Sequence, residues 1–90
     1  MGSIPIARSI KPDEECHGAS PLDERVRRLV NIGIAAAAQS EGAVHSAVRH
    51  AKAAGISADE IRQVIVLSIT TIGFPRAMAA MSWADDVLRK

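Results

Sequence analysis

Glu41 and His45 stand four residues apart in a stretch with helical spacing, so their side chains meet on one face. A carboxylate beside an imidazole holds the ring in one orientation, as a general base needs. His50 lies about 140° from His45 around the same helix. One chain therefore does not bring the two histidines together, whereas two chains can. Glu41, His45 and His50 are the candidate catalytic residues. The plainer reading, which ranks first, makes Glu41–His45 a first-turn pair worth about 0.2–0.5 kcal/mol. Metal binding ranks last, because only Glu41, His45 and either His17 or His50 offer ligands. No cofactor is implied.

Other reactive types are sparse. Cys16 is the only cysteine, so no intramolecular disulfide or multi-cysteine zinc site forms. It sits between Glu15 and His17, and a lone cysteine on an extended arm is more often incidental than redox-active. Arg76 follows Pro75 at a helix start, where it can meet an anion or serve as a surface charge. Trp83, Met78 and Met81 read as core or subunit contacts, with the wall of a small apolar pocket as the alternative.

These groups need helices to hold them. Residues 1–19 show no sustained period and read as an extended N-terminal arm, in which Ile4-Pro5-Ile6 can dock on a neighbour. Residues 20–90 read as one helical domain. Ser20 is the expected cap of the first helix, followed by Pro21, Asp23 and Glu24, and the helix should end near Gln39. Its apolar stripe is Leu22, Val26, Leu29, Val30, Gly33 and Ala37. Ser40 caps a second helix carrying Val44, Ala47, Val48 and Ala51 on one face, and Gly55 ends it. Ser57 and Glu60 form a capping box for a third, expected to run to Ile72 and to be buried nearly all round. Gly73-Phe74-Pro75 breaks the chain, and Pro75 opens a fourth helix.

Composition narrows the class. The net charge is +1, with 11 basic and 10 acidic residues, which disfavours nucleic acid and anionic membrane as partners. A helix-turn-helix DNA binder is the weakest class for the same reason. No apolar run approaches the roughly 20 residues of a membrane span, and no signal peptide is apparent, so a cytoplasmic protein is expected. The chain has 90 residues, 48% of them hydrophobic, with one Trp and one Phe. So small a scaffold, with an alanine-rich core, is expected to complete that core in a homo-oligomer.

From Leu22 onward the chain resembles the carboxymuconolactone decarboxylase and alkylhydroperoxidase-D superfamily. The likeness rests on Leu22-Asp23-Glu24-Arg25 leading into an Ala-rich helix, on the stretch from His45 to Ile61, and on Thr71 to Trp83. It implies a small all-α domain of about four helices, in assemblies such as dimer-based trimers or hexamers. The redox branch uses Cys-x-x-Cys and a histidine four residues on. Aligned on Gly55, those positions fall on Ser40, Ala43 and Ala47. The decarboxylase histidine also falls on Ala47, and the acid that assists the redox cysteines falls at or near Arg28.

A peroxidase needs a thiolate and a resolving thiol, and Ser40 and Ala43 supply neither. Two functions remain open. One is a divergent enzyme doing acid–base chemistry on a small organic acid, with His45 as base in a cavity that also holds Arg28, Arg49 or Arg76. The other is a non-catalytic oligomeric binding or accessory protein on the same scaffold, with the space around Ala43 and Ala47 filled by apolar side chains.

Overall fold

Among the described residues the first helix starts at Glu24, later than the cap expected at Ser20. The computed structural model describes residues 21–90, so the arm, Ser20, Cys16 and His17 lie outside the described residues. Asp23 is the cap, its Oδ1 accepting from the Val26 N–H at 2.9 Å. Arg27 Nη1 donates to the Leu22 carbonyl at 2.6 Å and ties the entering backbone to the first turn.

Helix α1 spans Glu24–Ala37. Gln39 follows in a left-handed conformation (φ 55°), uncommon for a residue with a Cβ. Its Nε2 donates to the Ala36 carbonyl at 3.0 Å and to the Arg76 carbonyl at 2.9 Å, joining the corner to the distant last helix. Helix α2 spans Glu41–Ala53, with Ser40 Oγ accepting from Ala43 N–H at 3.2 Å. Gly55 closes it at φ 86°. Gly55 N–H donates to Lys52 O and Ile56 N–H to Ala51 O, each at 3.0 Å, the paired bonds of a Schellman ending.

The capping box forms as expected at helix α3, Ala58–Leu67: Glu60 N–H donates to Ser57 Oγ and Ser57 N–H to Glu60 Oε1. Glu60 also pairs with Arg25, linking α3 to α1.

The expected continuation to Ile72 is interrupted. Ser68 Oγ donates to the Ile65 carbonyl at 2.6 Å, and a separate turn, α4, covers Ile69–Ile72. A serine hydroxyl that competes for a helix carbonyl disturbs the ladder, and the β-branched Ile69-Thr70-Thr71-Ile72 run does little to restore it. Nor is α3 buried all round. Ile61 and Ile65 are buried, whereas Val66 and Leu67 are exposed, because the other helices cover only one side of α3. Gly73 (φ 88°) then turns the chain into helix α5, Phe74–Leu88, with Pro75 in its first turn.

The fold is thus all-α, four helices and one isolated turn, with no strand among the described residues. No helix there is long and apolar enough to cross a membrane. Helix α1 packs on α2 and α3, and α5 packs on α2 and α3. The core joins Ile32, Ala35 and Ala36 of α1 to Val44, Val48 and Ala51 of α2, Ile61 and Ile65 of α3, and Ala80, Ala84 and Val87 of α5. Met81, Trp83 and Leu88 pack against it.

The α1 stripe read from the sequence is not the face that the core uses. Leu29 packs on the core, but Val26 and Val30 are exposed, and so is Leu22 just before the helix. Helix α1 carries apolar residues on two sides, and the side bearing small alanines packs closely on α2.

Candidate functional site

Small side chains leave space between α1 and α2. Arg28, Asn31, Ile34, Ala35 and Ala38 from the α1 side, with Ala43, Ser46, Ala47 and His50 of α2, line an open recess of about 340 Å³. The floor is largely methyl groups, and the polar groups are one guanidinium, one amide, one hydroxyl and one imidazole. Ala43 and Ala47, aligned with the missing family residues, both line it.

Arg28 is held at one side. Its Nη2 lies 3.2 Å from Glu24 Oε2, an i,i+4 ion pair on α1. Its side chain is 25% exposed, and its Nε is buried without a hydrogen-bond partner among the described residues. Buried polar atoms are nearly always satisfied, and this donor is an exception. His50 is exposed, and its imidazole makes no hydrogen bond or ion pair among the described residues.

The structure separates the two histidines of α2. His45 is not among the residues lining the recess. It lies on the flank facing α5, where its Nε2 is 3.0 Å from Asp86 Oδ2 and 4.0 Å from Glu41 Oε2. An ionised carboxylate only accepts, so Nε2 carries the hydrogen in the Asp86 contact. Asp86 had no signal in the sequence reading. It is 41 positions from His45, and only the packing of α5 on α2 brings it there. Asn31 and Ser46 were likewise not singled out, since nothing local marks a residue as facing a gap between helices.

Of the cationic candidates, Arg28 lines the recess. Arg49 is exposed and borders a separate depression with Lys52, Val87 and Lys90. Arg76 is exposed at the start of α5, its carbonyl engaged by Gln39. A third, mostly apolar depression lies between α1 and α3, where Gly33 and Ala37 face Val64 and Leu67.

The family model described as "Carboxymuconolactone decarboxylase family" matches residues 13–86. No curated protein and no solved structure matches the chain significantly.

Proposed function

The chain belongs to the carboxymuconolactone decarboxylase family, and we propose that it binds a small organic acid in the recess between α1 and α2, with His50 placed for proton transfer. The observation that carries this reading is the placement of the Arg28 guanidinium and the His50 imidazole among the alanines that line one recess. A guanidinium binds a ligand carboxylate in a charge-assisted geometry. The resemblance to the redox branch places an acid at or near Arg28, so a cation there reverses the local charge. The alanines Ala35, Ala38, Ala43 and Ala47 then accommodate the ligand's hydrocarbon part.

His50 brings the only imidazole among the residues lining the recess, a side chain that can both donate and accept a proton. It is therefore the proposed acid or base, acting on a proton next to the carboxylate. Disulfide-cycling peroxidase chemistry is not part of this reading, since Cys16 has no second cysteine in the chain to resolve it.

A second reading, non-catalytic binding, is favoured by one specific observation. No carboxylate or carbonyl orients His50 among the described residues, whereas a general base is usually held in position by a partner. Both readings place the protein in a homo-oligomer. Their shared support is the exposed apolar surface: Ile34 is 61%, Leu67 63% and Phe74 60% exposed.

The test is NMR titration of the protein with a panel of small aliphatic and aromatic carboxylates, followed by deuterium exchange at the ligand's α-carbon in D2O. Binding lost in Arg28→Gln, with exchange lost in His50→Ala, supports the enzyme. Binding without exchange selects the second reading. Absence of binding across the panel rejects both.

A further inference from the structure

On the opposite flank of α2 from the recess, Glu41, His45 and Asp86 each offer one ligand atom, and these atoms all lie within 4.8 Å of one another. Two of the three are on one helix at i and i+4, and the third comes from a different helix. The geometry points to a site for a divalent first-row transition cation, held by one imidazole nitrogen and two carboxylate oxygens.

The spacing suits such an ion. Bonds of about 2.0–2.2 Å, at angles between octahedral and tetrahedral, put ligand atoms about 2.8–3.6 Å apart. Here His45 Nε2 is 3.0 Å from Asp86 Oδ2 and 4.0 Å from Glu41 Oε2. The wider His45–Glu41 separation involves a carboxylate side chain that is 60% exposed and outside the core. The backbones are fixed, because Val44 and Val48 of α2 and Ala84 and Val87 of α5 belong to the same buried core.

Charge points the same way. Asp85, the neighbour of Asp86, is neutralised by Arg62 and Arg89. Glu41 and Asp86 have His45 as their only ion-pair partner among the described residues. Two carboxylates therefore share a single imidazole. The partial positive charge at the α2 N-terminus opposes a cation, but it is only about half an elementary charge against two full negative ones.

On binding, the cation takes the lone pair of Nε2, and the ring hydrogen resides on Nδ1. The hydrogen bond from His45 to Asp86 is replaced by two bonds to the same ion. An imidazole with two carboxylates suits zinc, manganese, iron, cobalt or nickel better than calcium or magnesium, which prefer all-oxygen shells. Both carboxylates are more than half exposed, so water completes the coordination.

The experiment is calorimetric titration of the full chain with Zn²⁺, with Co²⁺ absorption as a second readout. The controls are Cys16→Ser/His17→Ala, which removes the only cysteine and the histidine beside it, and His50→Ala. One ion per chain is expected, unaffected in both controls. His45→Ala and Asp86→Asn should weaken it by roughly 100-fold or more, since loss of even an outer-shell partner costs about 10–100-fold. Circular dichroism shows whether each variant keeps its helices, and the exposed Asp86→Asn change touches no core residue. Zn²⁺ binding that survives both substitutions, that disappears in Cys16→Ser/His17→Ala, or that is absent at millimolar ion overturns the proposal.

Discussion

His45 on α2 and Asp86 on α5 face each other at 3.0 Å, the only side chain to side chain hydrogen bond between these two helices among the described residues. It stands at the solvent edge of the α2–α5 contact. A partly exposed pair of this kind contributes about 0.5 kcal/mol. A double-mutant cycle of His45→Ala and Asp86→Ala, followed by urea unfolding without added metal, should return a coupling of that size. A coupling indistinguishable from zero means that this pair adds nothing to the other contacts holding the two helices together.

Gly55 tests the α2 ending. A Cβ added there meets nothing within 4 Å, so a substitution meets no steric clash. The backbone has φ 86°, which L-residues rarely adopt. Gly55→Ala should therefore destabilise by about 1 kcal/mol through conformational strain. Thermal unfolding at unchanged helix content checks this.

Loss of the α3 cap is a local effect of similar size. Ser57→Ala removes the acceptor for Glu60 N–H, while the Glu60 carboxylate keeps the backbone N–H of residue 57 and the Arg25 pair. The expected cost is about 1 kcal/mol. Amide exchange should rise at Asp59 and Glu60 and stay unchanged in α2, whereas a uniform rise would show that the cap stabilises the whole domain.

Ala43 is exposed and lines the recess, so a larger residue there occupies the space without disturbing the core. Ala43→Leu should abolish binding of the carboxylates that bind the unmodified protein while shifting the unfolding free energy by less than about 0.5 kcal/mol. Retained binding would place the ligand outside the recess.

Val26, Val30 and Ile34 recur every four residues along the exposed side of α1. If this stripe is covered by another copy of the chain, Val30→Glu/Ile34→Glu should yield monomers in sedimentation velocity with helix content preserved. An unchanged sedimentation coefficient would locate the interface elsewhere or exclude one.

The helix boundaries at Ser40, Gly55, Ser57 and Pro75 were legible because each depends on bonds that close within a few residues. A serine followed three positions later by glutamate satisfies two backbone donors wherever the helix lies in the fold. The all-α class and the family followed from such signals and from the motif order around them. The break at Ser68 was missed because serine also fits a helix interior, and its competition for the Ile65 carbonyl depends on rotamer choice.

The sequence by itself determined where most helices begin and end, and which residue types were available for chemistry. Only the tertiary structure decided which face of α1 is buried, that Asp86 meets His45, and that His50 and Arg28 share a recess while His45 does not. Helical periodicity states which residues share a side of one helix, and says nothing of which neighbour that side will meet. That choice depends on how closely two backbones approach. On α1 the small Ala35 and Ala36 permit close packing on α2, and the larger Val30 and Ile34 are left outside.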